Sequence, residues 1–249
     1  MDAYLERIGW RGSRDPTLAT LAGLAGHHVR AIPFENLDVL LGRPPRLDLP
    51  SLEAKLIEAR RGGYCFEHAT LFGAALEQLG FAVQRHSARV VMVWPREQAP
   101  RTHMFLTVMD HVIDVGFGAL APQAPVPLDG TPVGRHRIVR EGRGIALFHD
   151  DQRMWVSTLE PEYPIDFEMG NHFTATWTGS PFVQRMMLRA FTPEGQVRAM
   201  NRDVTIVRGD RSETVQLADR AALRELLRTY FGFDLDVSAL AIPSIPEWG

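Results

Sequence analysis

The stretch RGGYCFEHATLFGAALEQLGF (61–81) decides the fold. Phe66, Ala69, Phe72, Leu76 and Leu79 lie on one stripe at helical spacing, and Gly80 closes the run. A helix is therefore expected to begin at or beside Cys65, with Gly62-Gly63 as the break ahead of it. Cys65 is the only cysteine among 249 residues, so it has no partner for an internal disulfide or a multi-cysteine zinc site. Two readings of it stand. It is a small apolar core residue, as most single cysteines are. Alternatively it is a reactive thiol, because a helix N-terminus has unpaired N–H groups and about half a positive charge that favours thiolate. Arg60 and Arg61 add positive charge nearby.

Upstream of this stretch the chain reads as helical. LATLAGLAGHHVRAI (18–32) repeats Leu18, Leu21, Leu24 and Val29, and LPSLEAKLIEARRGG (49–63) carries Leu52, Leu56 and Ile57. Between them IPFENLDVLLGRPP (32–45) reads as an extended connector. Downstream the texture changes to short β-branched or alternating runs: FAVQRHSARVVMVW (81–94), MFLTVM (104–109), HVIDVGFG (111–118), RHRIVR (135–140), GIALFH (144–149), RMWVSTL (153–159) and NHFTATW (171–177). These predict a barrel or sandwich. SPFVQRMMLRAF (180–191) reads as a helix, VTIVRG (204–209) as a strand and DRAALRELLRTYFGF (219–233) as an amphipathic helix. The expected class is α+β, divided into a helical unit at 1–82, a β-barrel at 83–190 and a small α/β lid at 191–249.

Composition narrows the function. Hydrophobic residues at 45% and charged residues at 23% are ordinary for a globular protein, and the net charge of −3 gives no drive toward nucleic acid. No run is long and apolar enough for a membrane span, and the opening MDAYLERIGWRG lacks a signal-peptide layout, so a cytoplasmic location is expected. No GxGxxG, P-loop or HExxH pattern occurs, so no metal is expected.

A thiol nucleophile needs a base and a group that orients it. If 104–109 and 111–118 form a hairpin turning at Met109-Asp110, His103 opposes Gly116 and Asp114 opposes Phe105. The two side chains are then diagonal neighbours on one face. An odd-length loop would separate them, leaving His103 as a strand-edge residue and Asp114 as a turn residue.

RGGYCFEHATLF with Cys65, THMF with His103 and IDVGFG with Asp114 resemble the arylamine N-acetyltransferases in order and wording. IPFENL (32–37), NHFTATWTGSPF (171–182) and YLERIGW (4–10) extend the resemblance over essentially the whole chain. It implies a cysteine-protease-like core of helical domain, β-barrel and lid, with Cys65 as nucleophile, His103 as base and Asp114 as orienting carboxylate. It also implies acetyl-CoA as acyl donor, an aromatic amine or hydrazine as acceptor and ping-pong transfer through an acetyl-cysteine. Phe34, Phe117, Gly118 and Phe173 match substrate-facing positions, and Glu35 with Arg61 matches a supporting charged pair. Two departures stand out: Ala69 where the family usually has asparagine, and Trp177-Thr178 where His-Pro is common. An amide synthase with the same three residues is the alternative implied. A thiol hydrolase and a non-catalytic binding module are broader ones.

Overall fold

Local sequence sets most of the elements in the computed structural model, which describes residues 1–245. The helical half comprises α1 (Asp2–Arg7), α2 (Leu18–Ala31), α3 (Leu37–Leu40), α4 (Leu49–Leu52) and α5 (Cys65–Gln78), with a two-residue strand β1 (Phe34–Glu35) before α3. The Thr17 side chain caps α2 by accepting from the Thr20 N–H. The helix read over 49–63 is shorter and looser than expected. After α4 it widens into a π-helical turn over Glu53–Glu58, and Arg60, at φ 53°, ends it.

Seven strands follow in one antiparallel sheet: β2 (Gln84–Val90), β3 (Arg101–Val108), β4 (His111–Ile113), β5 (Val126–Pro127), β6 (His136–Glu141), β7 (Gly144–His149) and β8 (Gln152–Ser157). Their spatial order is β5-β4-β3-β2-β8-β7-β6. Edge strands β5 and β6 come together, so the sheet is a nearly closed barrel. Its interior is filled by Ala88, Phe105, Val112, Val126, Ile138, Leu147, Met154 and Trp155. The hairpin of β3 and β4 has the expected register, Leu106 opposite Ile113 and Val108 opposite His111. Its two-residue turn places Met109 and Asp110 at φ 50° and 58°, the left-handed pair of a type I′ turn.

Two further expected elements are different. NHFTATW is the second half of a helix, α6 (Pro164–Thr176), and SPFVQRMMLRAF is one turn, α7 (Pro181–Gln184), followed by a strand, β9 (Met187–Thr192). The start signal for α6 lies upstream, where Pro164 takes the first turn and Asp166 accepts from the Tyr163 N–H at 2.8 Å. Thr174 and Thr176, which read as strand formers, turn their hydroxyls onto the carbonyls of Gly170 and His172, each at 2.7 Å. Strands β10 (Gly195–Met200), β11 (Asp203–Arg208) and β12 (Arg211–Gln216) complete a second sheet in the order β1-β9-β10-β11-β12. Helix α8 (Arg220–Leu226) packs on it through Leu223 and Leu226. The small strand β1 thus ties the helical half to the C-terminal sheet. The last four positions of the expected 191–249 lid lie outside the described residues. Among the described residues, no helix is long and apolar enough to cross a membrane.

Candidate active site

The loop before Cys65 is zipped to the IPFEN segment. The Gly63 N–H donates to the Pro33 carbonyl at 3.2 Å, and the Glu35 N–H donates to the Gly63 carbonyl at 2.8 Å. Closeness explains the glycines: a Cβ on Gly62 would lie 2.1 Å from the Pro33 oxygen. The Tyr64 N–H then donates to Glu67 Oε2 at 3.0 Å, which caps α5 and leaves Cys65 as its first residue.

Cys65 is 2% exposed, and its thiol lies 3.6 Å from the Thr102 carbonyl, one residue before His103. His103 Nε2 and Asp114 Oδ2 are 2.9 Å apart, with both residues buried. Burial alone disfavours an imidazolium at His103. The charge and hydrogen bond of Asp114, with a further contribution from Cys65, outweigh it and push the ring up to about 10. Trp155 Nε1 donates to the same Asp114 oxygen at 2.9 Å. Gly116 completes the close approach, because a Cβ there would lie 2.7 Å from the Cys65 Cα. The three residues singled out in the sequence are therefore brought together. Trp155 and Gly116 were missed. Gly116 carried a signal, a glycine inside a strand-like run, whereas Trp155 read as one more barrel residue.

The expected Glu35–Arg61 pair is present and is part of a larger network. Arg61 binds Glu35 at 2.7 Å and Asp38 at 2.8 Å, while Lys55 binds Asp38 and Glu67, each at 2.7 Å. Burial opposes the charge on Asp38, but Lys55 and Arg61 win and hold its carboxyl below the usual range. Burial dominates at Glu67 and raises it. Arg61 is thus committed to carboxylates, and Arg60 is exposed, so the helix start rather than these arginines is the positive feature at Cys65. Lys55, Asp38 and Glu67 gave no signal beyond ordinary helix-surface charges.

The four substrate-facing candidates separate. Phe117 stands edge-on to the His103 ring with centroids 4.9 Å apart. Phe34 is 7% exposed and packs beneath Gly118, whose added Cβ would lie 3.5 Å from the Phe34 ring. Phe173 is exposed on α6 and stacks on Trp177, which in turn contacts Trp94. Ala69 is buried in the apolar core. Among the described residues, no group of three histidine, cysteine, aspartate or glutamate side chains is placed to hold a metal.

A family model described as N-acetyltransferase matches residues 17–240. The arylamine N-acetyltransferase of Mycolicibacterium smegmatis is 36% identical to this chain, covering 94% of it and 92% of that protein. The solved arylamine N-acetyltransferase of Mycobacterium marinum superposes with a TM-score of 0.88 at 33% identity, over 98% of this chain and 96% of that one. The same protein in complex with CoA gives 0.86 at 34% identity, over 93% and 92%.

Proposed function

Because the chain belongs to the arylamine N-acetyltransferase family, and is thereby an acyltransferase, we propose that it moves an acetyl group from acetyl-CoA to an aromatic amine or hydrazine through a thioester on Cys65. The observation that carries this reading is the buried His103–Asp114 pair beside the thiol that opens α5. A relative solved with CoA supports the donor.

In the first half-reaction the Cys65 thiolate attacks the thioester carbonyl carbon. The oxyanion is met by backbone N–H groups of the first turn of α5, which have no intrahelical partner. The carbonyl–sulfur bond to CoA then breaks, and the His103 imidazolium gives its proton to the departing thiolate. Having given up its proton, the His103 ring is neutral and ready as a base. In the second half-reaction the neutral amine attacks the acetyl carbon, His103 takes the amine proton and Cys65 leaves as thiolate. Phe117 and Gly118, with Phe34 behind them, form the aromatic wall for the acceptor, where stacking is worth about 0.5–1.5 kcal/mol beyond area burial. Glu35 and Arg61 hold the loop before the nucleophile. The three folding units proposed are 1–82, 83–190 and 191–249, and the second boundary falls inside β9 (Met187–Thr192).

Intact mass after incubation with acetyl-CoA alone tests the mechanism. One acetyl adduct on Cys65, discharged by an arylamine or hydrazine, is expected. Absence of the adduct, or turnover that persists in Cys65→Ala, sinks it.

A further inference from the structure

Behind the nucleophile runs a file of buried polar side chains that the chemistry above does not use. Tyr4 Oη lies 2.8 Å from His28 Nδ1, and His28 Nε2 lies 2.8 Å from His68 Nδ1. His68 Nε2 ends the file 3.1 Å from the carbonyls of both Pro33 and Gly63. Tyr4 is 3% exposed and both histidines 0%.

The direction of every bond follows from its terminus. Carbonyls only accept, so His68 Nε2 carries a proton and donates. In a neutral ring His68 Nδ1 is then an acceptor, which obliges His28 Nε2 to donate. His28 Nδ1 is in turn an acceptor, so the Tyr4 hydroxyl donates to it. Both rings stay neutral for a physical reason. Burial is the largest influence and disfavours their charged forms; His68, Arg7 and Arg189 add to it at His28, while at His68 burial and Arg189 outweigh the upward pull of the Pro33 and Gly63 carbonyls.

The end point is what gives the file a task. The peptide between Gly63 and Tyr64 immediately precedes Cys65. Its carbonyl accepts from His68 and from the Glu35 N–H, and its N–H is held by Glu67. The Pro33 carbonyl, shared by the same His68 nitrogen, belongs to the residue before Phe34.

We propose that Tyr4, His28 and His68 form a one-way hydrogen-bond relay that positions the Gly63–Tyr64 peptide, and through it the Cys65 nucleophile. His68 is the positioning residue, and Tyr4 and His28 fix its tautomer. The inference rests on the reading of Cys65 as the nucleophile.

Nitrogen-15 spectra of the full chain, amide exchange and single-turnover kinetics test it together. Both His28 and His68 are expected as neutral Nε2–H tautomers in the unaltered protein. In His68→Leu, exchange at the Tyr64 and Glu35 amides rises roughly tenfold, as the loss of one hydrogen bond allows. Alkylation of Cys65 by iodoacetamide and its acetylation by acetyl-CoA slow by about tenfold with little change in KM. His68→Gln, which returns an N–H near the same place, restores most of each. Tyr4→Phe keeps the fold and loses the single-tautomer signature at His28. An Nδ1–H tautomer at either histidine, or unchanged exchange and alkylation in folded His68→Leu, overturns the relay. If His68→Leu does not fold, the spectra of the unaltered protein and of Tyr4→Phe decide. Alkylation and exchange need no acetyl-CoA, so failure of Cys65 to acetylate counts against the proposed reaction alone.

Discussion

Asp114 divides its two oxygens unequally. Oδ2 accepts from both His103 and Trp155 at 2.9 Å, while Oδ1 is buried without a partner among the described residues. The carboxylate thus depends on the indole N–H for its second hydrogen bond, and a bond to a charged group is worth about 1.5–3 kcal/mol. Trp155→Phe keeps a ring against Phe105, now stacked at 4.3 Å, and removes only that donor. Single-turnover acetylation of Cys65 is expected to slow by roughly tenfold in this variant. An unchanged rate would show that Asp114 is held well enough without Trp155. Gly116→Ala acts on the same group from the other side. Its Cβ, 2.7 Å from the Cys65 Cα, forces Cys65 and the Asp114 loop apart. The expected result is a destabilisation of about 1–3 kcal/mol in urea titrations, together with loss of activity in the protein that remains folded. A fully active, equally stable variant would contradict that geometry.

At the scale of elements, legibility tracked how local the determining interaction is. The hairpin that aligns His103 with Asp114 was readable because alternation and a two-residue turn fix its register between them. Helix α5 was readable from its stripe and its glycine stop. Helix α6 was not, because threonine reads as a strand former unless its hydroxyl is known to fold back on the helix, and its cap lies outside the motif. Strand β9 was hidden for a different reason. Its partners β1 and β10 include one segment about 150 residues away, and no local pattern encodes such a pairing. The Glu35–Arg61 pair came from resemblance, but the other members of its network are visible only in three dimensions. Their weight is testable. Lys55 touches Asp38 and Glu67 directly, and it is 15% exposed, so Lys55→Met leaves Arg61 to Glu35 and Asp38 and removes the cation that pairs with Glu67. A cost of about 3–5 kcal/mol is expected in urea titrations. Glu67→Gln, which removes a charge that burial already disfavours, is expected to cost much less. Equal effects of the two would refute a network governed by charge balance.

For the whole molecule, two sets of buried histidines with opposite shifts fix the pH at which the fold is most stable. His68 is pushed down to about 3 by burial and by Arg189, and His28 is lowered well below 6.5 by burial, His68, Arg7 and Arg189. Below about pH 6.5 the unfolded chain takes up protons that the folded chain refuses, so stability is complete above that pH and drains away as the pH falls. His103 works in the other direction. Burial opposes its charge, yet Asp114 raises it to about 10, so its contribution is complete below 6.5 and is lost as the pH rises toward 10. Stability should therefore peak near pH 6.5 and fall on both sides. Each neutral buried histidine costs about 2 kcal/mol between pH 6.5 and pH 5, at roughly 1.4 kcal/mol per pH unit. Glu67, raised by burial, offsets part of this only where carboxyls begin to protonate. Urea midpoints at about pH 5, 6.5 and 9 measure the profile. His68→Gln removes one of the acid-sensitive rings, so it should shrink the difference between pH 5 and 6.5 and leave the alkaline side intact. A midpoint at pH 5 equal to or above that at 6.5 would mean that at least one of His28 and His68 enters the fold already protonated, and the bond assigned from Tyr4 to His28 would then run the other way.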